Sequence, residues 1–99
     1  MTIRIDPEEN EIWALRKSVV DWKNKRVLEI GCGDGRLTVR LARLGANVQA
    51  IDPNADTIRI ARKNKPVRFA NQIRYSVGNA RQLKSKSDSY DIVVFAWSL

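Results

Sequence analysis

Two hydrophobic rhythms take turns along this chain. Short segments rich in β-branched and aromatic residues occur at 27–30, 47–51, 73–77 and 90–97. Each is bounded by polar, glycine or charged residues, and each reads as a strand. Between them apolar residues recur at helical spacing. Leu37, Leu41 and Leu44, with Val39 beside them, predict a helix over 36–44, and Gly45 is well placed as its stop. Ile58 and Ala61 predict a second helix, capped by Asn54 or Asp56, running to about Lys63 and ended with the help of Pro66. Ahead of all these, Asp6-Pro7-Glu8-Glu9 reads as a helix start, and Ile12, Leu15, Val19 and Trp22 form one apolar stripe to Trp22 or Lys23. A short helix or turn carrying Leu83 separates the last two strands.

Strands that alternate with helices imply a parallel sheet with right-handed crossovers. The last strand is nearly all apolar, as expected where both faces are covered. The predicted fold class is therefore α/β, a Rossmann-like parallel sheet with helices on both faces. Ninety-nine residues make one small domain at most.

The most informative stretch is Val27-Leu28-Glu29-Ile30-Gly31-Cys32-Gly33-Asp34-Gly35. A strand ends beside a carboxylate, three glycines follow at alternate positions, and a helix begins. Gly31 allows a sharp exit from the strand, Gly33 lets backbone approach a ligand, and Gly35 permits an unusual angle or close packing. About 20 residues beyond the first glycine, Asp52 stands at the tip of the second strand, as a nucleotide-binding βαβ unit requires. A dinucleotide fingerprint wants its third glycine at the sixth position, where this chain has Arg36. A phosphate loop ending in Gly-Lys-Ser/Thr is absent.

Composition narrows the chemistry. The chain has no histidine, so the commonest general base and metal ligand are missing. Its single cysteine, Cys32, allows no internal disulfide and has no activating base, so it reads as a small residue near the ligand. The N-terminus lacks an apolar secretory core, and the longest apolar run is too short for a bilayer. The expected location is cytoplasmic. The net charge of +7 suits a polyanion such as RNA, or simply a solvated surface. Basic residues gather at Arg59, Arg62, Lys63, Lys65 and Arg68, then at Arg81, Lys84 and Lys86. Trp97 could stack on a base, although burial in a strand suits it as well.

Glu29-Ile30-Gly31-Cys32-Gly33-Asp34-Gly35 resembles the first motif of the class I S-adenosylmethionine-dependent methyltransferases. Asp52 matches the acidic residue ending their second strand. Gly78-Asn79-Ala80 stands where they carry Gly-Asp-Ala, and Tyr90-Asp91-Ile92-Val93-Val94 resembles the start of their fourth strand. The resemblance covers residues 24–99, with residues 1–23 as the leading helix. It implies S-adenosyl-L-methionine as cofactor and methyl transfer to an unidentified small molecule, RNA or protein. It also implies that Gly31, Cys32, Gly33 and Gly35 wrap the methionine end and that Glu29 helps to hold the ammonium. Asp52 would accept both ribose hydroxyls, Pro53 would lie on the adenine, and Asn79 and Ala80 would meet the adenine edge. Ala96, at the end of the fourth strand, joins the same cofactor set. No catalytic base and no metal site is assigned.

The family's sheet has seven strands, and only four are predicted here. In the expected order 3-2-1-4, the fourth strand would be an open apolar edge prone to self-association. The expectation is therefore the N-terminal half of a longer enzyme, or a truncated product. The competing readings are a non-catalytic cofactor- or RNA-binding remnant and an NAD-binding domain. The exit of the fourth strand lacks the Asn/Asp-Pro-Pro-aromatic signature of amino-group methylation.

Overall fold

Five parallel strands form one sheet in the computed structural model, which describes residues 2–5, 21–79 and 89–96. In chain order the elements are β1 (Thr2–Ile5), β2 (Arg26–Ile30), α1 (Arg36–Arg43), β3 (Asn47–Asp52), α2 (Ala55–Asn64), a 3-10 turn (Val67–Phe69), β4 (Ile73–Val77) and β5 (Ile92–Ala96). Across the sheet the order is β1-β5-β2-β3-β4. The four anticipated strands thus stand in the anticipated order, within two residues of the bounds read from the sequence. Residues 6–20 of the expected leading helix and the segment carrying Leu83 lie outside the described residues.

The expected open edge is corrected. β1 pairs in parallel with β5, placing Thr2 to Ile5 opposite Val93 to Ala96. Self-association through that edge therefore has no free ladder to use. Thr2-Ile3-Arg4-Ile5 is rich in β-branched residues, but a four-residue strand leaves too short a pattern to register against the helix start that follows it.

Local chemistry explains the helices. Asn54 caps α2, its Oδ1 accepting from the N–H groups of Asp56 (2.9 Å) and Thr57 (3.1 Å). Ile58 and Ala61 face inward and are fully buried. Leu37 and Leu41 anchor α1 in the same core, whereas Leu44, expected on that face, is 43% exposed. It caps the helix, beyond the last turn that the sheet covers.

Val27 of β2, Val48 and Ala50 of β3, Ile73 and Tyr75 of β4, and Ile92 and Val94 of β5 share one core with both helices. That placement follows from right-handed crossovers made twice in the same direction, β2 to β3 to β4. Burying this apolar surface stabilises the sheet by roughly 25 cal/mol per Å². The helices are pinned at their far ends as well. Gln72 Nε2 donates to the carbonyls of Ala42 and Ala46 at the end of α1, and Arg62 and Lys65 reach the β4 carbonyls of Tyr75 and Ile73. Among the described residues no helix is long and apolar enough to cross a membrane.

Candidate functional site

The carboxyl ends of β2, β3 and β4 meet at one edge. As β2 ends, the N–H groups of Gly31 and Cys32 both donate to the Ile51 carbonyl of β3, at 2.9 and 3.0 Å. That pair of hydrogen bonds to one acceptor swings the glycine loop over the tip of β3. The next N–H, from Gly33, reaches the Asp52 side chain, Oδ2 at 3.0 Å. Oδ1 accepts from Asn54 N–H at 2.9 Å, and the Asp52 carbonyl accepts from Gly78 N–H at 3.1 Å. Asp52 is therefore the junction of three loops. Its carboxylate is oriented by two backbone donors and is 7% exposed, with acceptor capacity left for further donors.

Gly33 and Gly35 do different things. A Cβ on Gly33 would meet nothing within 4 Å, so the loop opens onto free space there. A Cβ on Gly35 would collide with the Tyr75 hydroxyl and stand 2.9 Å from Tyr75 Cζ. Gly35 also holds φ at +90°, which a side chain resists. The third glycine is thus fixed by packing against β4.

Beneath the loop lies a buried polar chain. Glu29 is fully enclosed, and its Oε1 accepts a hydrogen bond from the Thr38 hydroxyl of α1, also fully buried. The Tyr75 hydroxyl lies in the same enclosed space, beside Thr38. Burial first, then the neighbouring carboxylates, push the Tyr75 phenol up to about 12. The Cys32 thiol is pushed up by burial, then by Glu29 and Asp52, with a smaller push from Asp34. Cys32 therefore stays a neutral thiol, as its lack of an activating base suggested.

Three carboxylates lie near the loop: Asp52 accepts from Gly33 N–H, Asp34 lies within it, and Glu29 is buried beneath. At the start of α1 the Arg36 N–H already meets Asp34 Oδ1 at 3.3 Å. A helix N-terminus ordinarily attracts an anion, but here its partial charge is answered by the chain's own carboxylate.

Of the residues expected at a cofactor, Glu29, Gly31, Cys32, Gly33, Gly35, Asp52, Pro53 and Asn79 gather at this edge, Pro53 and Asn79 exposed. Ala96 ends β5 on the same edge, half-buried and packed against the core. Ala80 lies outside the described residues. Glu29 sits in the floor, facing α1, and braces the loop from below. Thr38 and Tyr75 were not anticipated. Their inward positions follow from helical and strand periodicity, but nothing local marks them as partners of Glu29.

The model of the methyltransferase-domain family matches residues 27–99. The chain belongs to that family. Among its relatives, the mitochondrial ubiquinone biosynthesis O-methyltransferase of Rattus norvegicus is 41% identical over 73 residues, covering 70% of this chain and 21% of the relative. A Methanocaldococcus jannaschii protein, whose name proposes N5-glutamine methyl transfer on proteins, is 31% identical over 91 residues, covering 91% and 44%. The crystal structure of an S-adenosylmethionine-dependent methyltransferase from Mesorhizobium loti superposes with a TM-score of 0.76 at 24% identity, covering 92% of this chain and 41% of that one. The last likeness shows the shared fold. This methyltransferase domain spans less than half the length of each of these relatives.

Proposed function

We propose that the carboxyl edge of the sheet binds S-adenosylmethionine and that the chain supplies the cofactor half of a methyl transfer. One observation carries the reading: Asp34 and Asp52 flank a glycine loop that opens onto free space, with the carboxylate of Glu29 buried beneath it. Such a field favours a ligand with a sulfonium and an ammonium group. It disfavours the pyrophosphate of a nicotinamide dinucleotide, and Arg36, in place of the glycine that a dinucleotide needs, argues the same way. The open space above Gly33 leaves room for the methionine end. Asp52 offers two oriented oxygens to a pair of ribose hydroxyls. Pro53 offers an apolar surface to the purine, and Asn79 can accept from its amino group through the side-chain carbonyl.

When bound, the cofactor supplies a methyl group on a sulfonium, already a good leaving group. The protein's contribution is then orientation. Asp52 fixes the nucleoside, the Gly31–Gly33 backbone seats the amino-acid end, and Glu29 holds the loop's shape through Thr38. We assign the acceptor to small molecules ahead of amide nitrogens. The β5 exit, Phe95-Ala96-Trp97-Ser98, lacks paired prolines, and the rat relative is named for an O-methylation. A cytoplasmic setting suits the lone buried thiol.

Calorimetric titration of the 99-residue chain with S-adenosylhomocysteine and with NAD tests this reading. Saturable binding of S-adenosylhomocysteine with none of NAD is expected. Binding of the dinucleotide alone would overturn it.

A further inference from the structure

The opposite edge of the sheet has the opposite electrostatics. All strands run in parallel, so the residues that precede them share one rim, about 15–20 Å from the glycine loop. Lys23, Lys25, Arg26, Lys65, Arg68 and Arg74 stand on or beside that rim. Among the described residues, the carboxylates there are Asp21, which accepts from Lys23 N–H, and Asp91, which Arg26 holds through a 3.3 Å ion pair. Arg74 is exposed on the free edge strand β4 and has no carboxylate partner among the described residues. Basic residues in the last turns of α1 and α2 answer the helix dipoles. Lys23, Lys25, Arg68 and Arg74 lie outside any α-helix, so that explanation does not reach them.

The rim is concave. A cleft of about 450 Å³ opens on it, lined by Arg26, Asn47, Gln49, Asn71, Arg74 and Tyr90 among others. Side-chain amides, a phenol and guanidinium groups around a recess are what a phosphate-sugar backbone with unstacked bases requires. A bilayer would ask for a protruding surface with apolar residues at its tip, and a cleft walled by amides is the wrong shape.

We propose that this rim is a docking groove for single-stranded nucleic acid, separate from the cofactor edge. Arg74 and Lys25 contact phosphates at its mouth, Asn47 and Asn71 meet sugar and base edges, and Tyr90 offers a stacking face. The groove and the cofactor site face away from each other, so nucleic acid held there acts as a tether or carrier for the protein. Its bound segment is not the methyl acceptor.

The test is fluorescence anisotropy with a labelled 12-nucleotide oligouridine, on the intact chain and two charge reversals matched in size. Binding at 50 mM salt is expected, weakening on the order of 50-fold by 200 mM, as release of counterions from about four phosphates predicts. Arg74→Glu should weaken it about tenfold, while Arg59→Glu, on α2 away from the rim, should change it less than twofold. Arg74→Lys should restore most of the affinity. S-adenosylhomocysteine titration of Arg74→Glu should match that of the parent chain, which separates this proposal from the cofactor reading and shows that the variant is folded. No binding at 50 mM salt would overturn the proposal. So would equal losses in Arg74→Glu and Arg59→Glu, or a preference for phosphatidylserine vesicles over the oligonucleotide.

Discussion

The glycine loop has a floor and a rim, and the same short motif builds both. The floor is Gly35, Thr38, Glu29 and Tyr75, enclosed and mutually hydrogen-bonded or in tight contact. The rim is Gly33, Asp34 and Asn79, turned toward open space or solvent, with Asp52 nearly buried behind Gly33 and holding it through its carboxylate. Neighbouring motif residues therefore answer to different forces. Floor residues are held by desolvated polar contacts and packing, which set stability. Rim residues retain acceptor capacity and room, which set ligand affinity.

The division is tested most strongly at the two glycines. Gly35→Ala places a Cβ against the Tyr75 ring at a positive φ, and should cost about 3 kcal/mol of unfolding free energy. Gly33→Ala meets no neighbour and should cost only about 1 kcal/mol, from its backbone angle alone. Equal losses in urea denaturation would erase the distinction between floor and rim. Asp52→Ala comes next and acts on binding. Losing a carboxylate that accepts from two ribose hydroxyls should weaken S-adenosylhomocysteine by about 2.5 kcal/mol, close to 70-fold, in calorimetry. Thr38→Val should then destabilise the fold by about 2 kcal/mol, because Glu29 loses a donor in a site closed to water. Thr38→Ser should recover most of that loss. Full stability in Thr38→Val would mean that the buried carboxylate does not depend on α1.

The last effect concerns pH. The Tyr75 phenol, ordinarily near 10.0, is raised to about 12 in the fold. Above pH 10 the unfolded chain releases this proton while the folded chain retains it. The unfolded state then binds fewer protons, so stability falls as pH rises from about 10 to 12. Tyr75→Phe should flatten that part of the profile in chemical denaturation measured at a series of pH values. An unchanged slope would remove Tyr75 from the buried chain.

Much of this arrangement could be read from local spacing. Gly31, Gly33 and Asp52 are signalled by intervals within one βαβ unit, and Asn54 by the cap it offers. The parallel sheet followed from the alternation of elements, and the strand order from the resemblance to the methyltransferases, since crossover handedness alone does not say on which side of β2 the chain continues. The partnership of Tyr75 with Gly35 joins β4 to the loop after β2, and no periodicity reports such a contact. Thr38 reads as an indifferent helix residue until the carboxylate beside it is known. β1 escaped for another reason: its four residues are too few to show a rhythm, and its role emerges only once β5 offers an unpaired edge. The segregation of charge between the two sheet edges was equally hidden, because basic residues scattered along the sequence converge only when parallel strands align their starts.

The central claim is that the ligand sits at the carboxyl edge, between the glycine loop and Asp52. Backbone amide shifts of the isotopically labelled chain, followed during S-adenosylhomocysteine titration, test it most directly. The account predicts that the largest changes fall on Gly31 to Gly35, Asp52, Asn54, Gly78 and Asn79, with Lys25, Asn47, Asn71 and Arg74 unmoved. Changes concentrated on that second group, at the far edge of the sheet, would contradict it.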